Sequence, residues 1–233
     1  MKIKEWLGQG PFTLSLSSGF FGFYSHLGFA RALYEEGFTP SAFRGASAGA
    51  LIGSALASGH TPQEMAEIVL PLRRKDFWDP KLGFGLLRGE RLDSLLQSIV
   101  KSDFTHLEKP LQVSAFDLKK FRTVGLAEGC VIKAVRASCA LPGLFQPVSV
   151  RDSLFLDGGI RDPLGIHGFD PHHRILIHDI SENAMFGLKP KSSHLKNMKM
   201  IRLDQIPTSG PGKMDRGRAI LEISYQKTKA LLQ

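Results

Sequence analysis

Apolar residues recur along this chain with two periods. Residues 12–17 read Phe-Thr-Leu-Ser-Leu-Ser, large apolar side chains alternating with small polar ones, and the period of two predicts a first strand. Ser18-Gly19-Phe20-Phe21-Gly22 follows as a small-residue turn. Phe23, Leu27, Ala30, Leu33 and Tyr34 then fall on one face of a helix over 23–36, which Gly37 ends. Residues 42–46 predict a second strand, and the small residues over 48–58 predict a helix behind it. In that helix Gly49, Gly53 and Ala57 recur at spacing four, a strip that lets it lie close to a neighbouring backbone. Thr61-Pro62-Gln63-Glu64 reads as a capping box with proline at the first helical position, opening a helix to about residue 70.

The second half continues the alternation. Leu92, Leu95, Leu96 and Ile99 mark an amphipathic helix over 90–100. A strand over 111–116 ends at Asp117, with 121–126 as its hairpin partner. A helix over 131–139 stops at Leu141-Pro142-Gly143. Leu154-Phe155-Leu156 is a short strand that runs into Asp157-Gly158-Gly159. Strands over 174–180 and 199–203, a Pro/Gly/Ser loop over 205–212 and a basic helix over 213–232 close the chain. Interleaved strands and helices predict an α/β fold, with a mainly parallel sheet covered on both faces. At 233 residues the length fits one domain over 1–233.

Charge adds a partner question. A formal net charge of +8 suits an anionic partner, or simply a soluble basic surface. Residues 71–87 mix Arg73, Arg74, Lys75 and Lys81 with Phe77, Trp78 and Phe84. That mixture suits a membrane interface, a mobile cover over an apolar pocket, or a loop that tucks its aromatics into the core. Single-stranded nucleic acid is also suited by it. No recognised nucleic-acid motif accompanies the charge, so no nucleic-acid partner is expected. The only cysteines, Cys130 and Cys139, read as lying on one helix and make no disulfide framework. With no C-x-x-C or H-x-x-x-H, no structural zinc site is expected, and a reducing, cytoplasmic setting fits. Residues 1–10 lack an apolar core of signal-peptide length, and the longest mostly apolar run, 48–58, is too short to cross a bilayer.

The chemistry concentrates at Gly45-Ala46-Ser47-Ala48-Gly49, a G-x-S-x-G between a strand and a helix. A nucleophile elbow needs this pattern: the glycines remove Cβ atoms that clash in the sharp turn, and the serine Oγ is left exposed. The helix behind Ser47 points its positive end at developing negative charge. An ordinary turn with Ser47 as N-cap is the plain alternative. The backbone N–H groups near Ser18, Gly19 and Phe20 lie between the first strand and its helix, where an anion cradle forms. A phosphate loop would need G-x-x-x-x-G-K-[ST], which is missing there. Asp157 stands on a glycine turn and is a candidate general base, with a simple β-turn as the alternative. A Ser, Asp, His triad would instead recruit His167, His172, His173 or His178.

Together these segments resemble the patatin-like phospholipase family. Its G-x-S-x-G is met by Gly45 to Gly49, which implies Ser47 as nucleophile, and its D-G-G/A by Asp157-Gly158-Gly159, which implies Asp157 as general base. Its R-A-S-x-x-x-P-x-x-F-x-P-V segment is met by Arg136-Ala137-Ser138, Pro142, Phe145 and Pro147-Val148, and His26-Leu27-Gly28 and Ala32-Leu33 match its first helix. The family's anion loop is typically G-G-G-x-R-G; here Ser17-Ser18-Gly19-Phe20-Phe21-Gly22 is closer to the adiponutrin-like branch. Asp162 stands where the family often has asparagine. The resemblance implies a three-layer α/β/α fold and a serine–aspartate dyad that cleaves fatty-acyl esters, with a lipid substrate and no metal, nucleotide or other cofactor. Peripheral contact with an anionic membrane surface is compatible with it. A catalytically weak lipid-binding regulator on the same scaffold is the alternative.

Overall fold

The structure, a computed structural model, describes residues 2–81, 83–181 and 197–233. Helix α1 (Ile3–Leu7) precedes β1 (Thr13–Leu16), α2 (Phe23–Glu35), β2 (Ala42–Ala46), α3 (Ala48–Ala57) and α4 (Pro62–Val69). Next come β3 (Gly85–Leu87), α5 (Glu90–Ile99), β4 (Leu111–Asp117), β5 (Arg122–Leu126) and α6 (Val131–Ser138). The chain then runs through β6 (Gly143–Phe145), β7 (Val148–Val150), β8 (Ser153–Asp157), β9 (Ile175–His178), β10 (Met198–Ile201) and α7 (Gly217–Leu231).

Five strands in the order β10-β9-β1-β2-β4 pair in parallel. Strand β9 is buried at every position, and β1 and β2 at every position after their first. Parallel strands read this way when helices cover both faces of the sheet, and the layers are α/β/α. Beyond β4 the sheet turns antiparallel: β5 and β8 both pair β4 in that sense, and β7 pairs β8. The antiparallel end follows from short connections, because a turn at Arg151 and Asp152 can only return the chain beside itself.

The register decides where chemistry can occur. Strand β5 pairs β4 from Val113 to Asp117 and so occupies one edge. Strand β2 pairs Phe43 to Ala46 with Leu111 to Ser114, and β8 pairs Asp157 with Ala115. Strands β2 and β8 therefore share the other edge of β4, end to end. Beyond Ala46 the β2 ladder stops, and Asp157 takes the next position on β4. Ala46 and Asp157, far apart in sequence, thus meet at consecutive residues of a third strand.

Helices reach these strands through small residues. A Cβ added at Gly49 would sit 1.8 Å from the Leu16 carbonyl oxygen, so α3 touches the backbone of β1. Gly28 brings α2 onto α7 in the same way, with the Leu221 carbonyl oxygen 2.1 Å from an added Cβ. The capping box at α4 forms: Thr61 Oγ1 accepts from the Glu64 N–H at 3.2 Å, and Glu64 Oε2 accepts from the Thr61 N–H at 2.8 Å. Cys130 and Cys139 flank α6 as its caps instead of lying within it, and both are free thiols. The closing helix is shorter than its pattern suggests, because a 3-10 turn at Met214–Arg216 precedes α7.

Candidate active site

Ser47 connects β2 to α3 at φ 52° and ψ −119°, a conformation costly for a residue with a side chain. The flanking glycines make the turn possible by close approach. A Cβ at Gly45 would lie 2.5 Å from the Gly49 carbonyl carbon, and Gly49 itself is pressed on β1. Two further contacts hold the elbow. The Ser47 N–H donates to Ser138 Oγ at 2.8 Å, and the Cys139 thiol approaches the Ser47 carbonyl oxygen at 3.4 Å. The end of α6 thus supports the strained residue from behind.

Asp157 ends β8 and is buried. The Gly159 N–H donates to its Oδ1 at 2.8 Å, and its carboxylate lines the same pocket as Ser47. Burial raises its pKa from 3.8 to about 6, against the lowering effect of the nearby Ser47 hydroxyl and the Gly159 N–H. Gly158 rests on β4, where a Cβ would meet the Ser114 carbonyl oxygen at 2.0 Å. Asp162 secures the loop after it: its carboxylate accepts from the Ser114 hydroxyl, from the Ile166 N–H at 3.0 Å and from the His167 N–H at 2.9 Å.

The loop of Ser18, Gly19 and Phe20 lines the same pocket as Ser47 and Asp157. One expected donor is not available. The Ser18 N–H is spent on the Pro163 carbonyl at 2.7 Å, because the loop packs on the segment that follows Asp162. Among the described residues the Gly19 and Phe20 N–H groups have no hydrogen-bond partner. The Ser18 hydroxyl is buried and likewise unpartnered among them. Gly22 starts α2, and an added Cβ there would overlap the Ile180 side chain at 2.1 Å.

Under this loop lies a histidine pair. His26 Nε2 is 2.8 Å from the Ser17 carbonyl oxygen, and His26 Nδ1 is 2.9 Å from His178 Nδ1. Both rings are fully buried, and burial lowers both pKa values, that of His26 to about 4. Neutral rings fix the proton count: His26 donates to Ser17 from Nε2 and accepts from His178 at Nδ1. His178 is thus tied to the loop and not to Asp157. His172 and His173 are exposed, and no described histidine lines the pocket.

From Ser47 the pocket runs among apolar side chains, including Leu51, Val69, Leu72, Phe77, Trp78 and Phe145, and encloses about 1040 Å³ with its open mouth. Its polar groups gather at one end, at Ser18, Ser47, Cys139 and Asp157. No group of three or more metal-ligating side chains occurs among the described residues. No helix among them is long and apolar enough to cross a membrane.

Residues 14–170 match the family model described as Patatin-like phospholipase. The chain belongs to the patatin-like phospholipase family. It is 34% identical over 157 residues to an uncharacterized NTE family protein of Mycobacterium tuberculosis, covering 65% of this chain and 43% of that protein. The chain therefore spans less than half of that relative. With the uncharacterized protein YqhO of Bacillus subtilis it shares 24% identity over 163 residues, 55% of this chain and 56% of that one. Among solved structures, VipD from Legionella pneumophila superposes with a TM-score of 0.65 at 18% identity, covering 95% of this chain and 66% of that one. The type III effector protein ExoU gives 0.52 at 16% identity, covering 96% and 53%. These two likenesses concern the fold.

Within this patatin-like domain, sequence reading missed three supports of the site. Ser138 was visible only as a motif letter, His178 only as one of several triad candidates, and Ser114 not at all. Their roles depend on β4, α6 and β9 arriving at one corner, which no local pattern announces.

Proposed function

We propose that this patatin-like domain is a serine lipid acyl hydrolase working through Ser47 and Asp157. The observation that carries the reading is a strained serine and a buried carboxylate of raised pKa that line one apolar pocket together. The pocket takes the acyl chain, and the ester carbonyl comes to rest over Ser47. Ser47 Oγ attacks the carbonyl carbon while its proton passes to Asp157, whose raised pKa makes it a better base than an exposed aspartate. The Gly19 and Phe20 N–H groups, with the Ala48 N–H at the start of α3, stabilise the oxyanion. The alcohol leaves with the proton from Asp157, giving an acyl-Ser47 ester. Water then attacks that ester, its proton taken by Asp157 and passed on to Ser47 Oγ as the fatty acid departs.

Hydrolysis of a chain-length series of p-nitrophenyl esters and one phospholipid tests this. Ser47→Ala and Asp157→Asn should each lower turnover by about 10⁴-fold or more while both variants stay folded. Either variant retaining turnover removes that residue from its role. The wild-type rate should rise with pH to a plateau above about 6, since only ionised Asp157 accepts the proton. Folded wild type without turnover on any substrate favours the lipid-binding regulator, a reading supported by the loop donor lost to Pro163.

A further inference from the structure

We propose that the hairpin over 79–88 docks this domain on an anionic lipid bilayer, with Phe84 and Leu86 entering the interface and the nearby cations meeting phosphate. The hairpin is closed by hydrogen bonds from the Lys81 N–H to the Leu86 carbonyl at 3.0 Å and from the Arg88 N–H to the Asp79 carbonyl at 3.1 Å. Phe84 lies at its tip and is 93% exposed, and Leu86 is 50% exposed. Exposed apolar side chains this large, one at the hairpin tip and one on the strand that leaves it, call for a partner surface.

Strand β3 gives that surface its meaning. Its side chains alternate, so Leu86 faces out while Leu87 is fully buried and lines the pocket beside Phe145. Parallel pairing with β6 fixes this, Gly85 with Gly143 and Leu87 with Phe145. A single strand is therefore an outer apolar surface on one side and a pocket wall on the other.

The charges around the hairpin are complementary to an anionic surface. Arg73, Arg74, Lys75 and Lys81 are exposed, and among the described residues none of them has a carboxylate ion-pair partner. The nearby acids are occupied by backbone: Asp76 accepts from the Arg73 N–H, and Asp79 from the Gly89 and Arg91 N–H groups. Arg88 is already paired with Glu90 at 3.0 Å. Arg74 stacks 3.9 Å over the ring of Trp78, another pocket residue. The other exposed aromatic among the described residues, Phe121, has its face covered by Arg161 at 4.5 Å, which leaves Phe84 as the free ring among them. Amphipathic cations beside an exposed aromatic are the interfacial pattern.

The biological sense of this docking rests on the lipid-hydrolase reading, but binding is measured without turnover. The probe is co-sedimentation of the Ser47→Ala protein with phosphatidylcholine vesicles, with and without phosphatidylglycerol. Binding should require phosphatidylglycerol and weaken as salt rises. Phe84→Ala combined with Leu86→Ser should weaken it about tenfold or more. Lys75→Glu and Lys81→Glu should each weaken it about fivefold or more. In the Ser47 background these variants should hydrolyse a soluble short-chain ester at the wild-type rate and lose rate only on vesicles. Equal vesicle binding by all variants, or none by the parent, overturns the docking surface. Loss of soluble-ester turnover from the wild type would instead overturn the hydrolase reading and leave the binding result standing.

Discussion

The Ser47 corner and the hairpin that carries Phe84 are both built from a short strand and a glycine-bearing turn. At the corner, each glycine faces backbone that leaves no room for a methyl group: Gly45 on Gly49, Gly49 on Leu16, Gly158 on Ser114. The serine at φ 52° is strained and held by Ser138 and Cys139 at the end of α6. At the hairpin, the largest side chain stands 93% in solvent. The contrast shows two ways of using a turn. One stores strain inside packing that over-determines it. The other leaves apolar area uncovered for a partner. Substitutions at the corner should disturb fold and chemistry together, and those at the hairpin neither.

The sharpest way to break this contrast is Gly49→Val. Its side chain would collide with the Leu16 backbone, and the fold should lose about 3 kcal/mol or more. Denaturant unfolding checks it, and a variant of wild-type stability would mean that α3 can back away from β1.

Asp157→Asn should separate stability from chemistry. In the folded chain the carboxyl holds its proton up to about pH 6, whereas the unfolded chain releases it near 3.8. Between these values the native state binds more protons, so stability falls as pH rises through that window. Above it the buried charge costs up to about 3 kcal/mol. At pH 7 the asparagine variant should therefore melt higher than wild type while its turnover is lost. Near pH 4 and below the two curves should converge, and thermal melts across pH decide it.

Ser138→Ala leaves the Ser47 N–H without its partner and loosens the elbow. A cost of about 1–2 kcal/mol is expected, together with a drop in kcat of about tenfold at nearly constant KM. Smallest of all should be Phe84→Ser. It removes no buried contact, so its unfolding free energy should stay within about 0.5 kcal/mol of wild type. A larger loss would mean that the ring is packed, and that the hairpin resembles the corner after all.

Much of this architecture was legible in the chain. Alternating or continuous apolar runs locate β1, β2, β4, β8 and β9, because strands that fill a sheet's interior need such side chains. The capping box of α4 and the glycine strip of α3 are short-range chemistry and were readable for the same reason. The three-residue strands β3, β6 and β7 carry too few residues to show a period, and α1 has only five. Of the antiparallel half only the β4–β5 hairpin was visible, since the pairing of β8 with β4 and of β7 with β8 depends on turns such as the one at Arg151 and on which edge of β4 is vacant. At the site, residue types identified Ser47 and Asp157 as candidates. The fate of the Ser18 N–H was not readable, because Pro163 reaches it from the far side of Asp157.

Strand β4 acts as a ruler for the whole domain. Ala46, just before Ser47, and Asp157 pair with consecutive residues of β4, Ser114 and Ala115, so the spacing of the two is set by one strand and not by the chain that joins them. Loops and helices between residues 59 and 110, or between 127 and 152, can lengthen during divergence without moving the pair apart. A single residue inserted within β4 shifts one member of the pair along the edge by about 3.3 Å, past hydrogen-bonding reach. Lineages built on this plan should therefore vary freely in the cover around the pocket and keep the length of this one strand fixed.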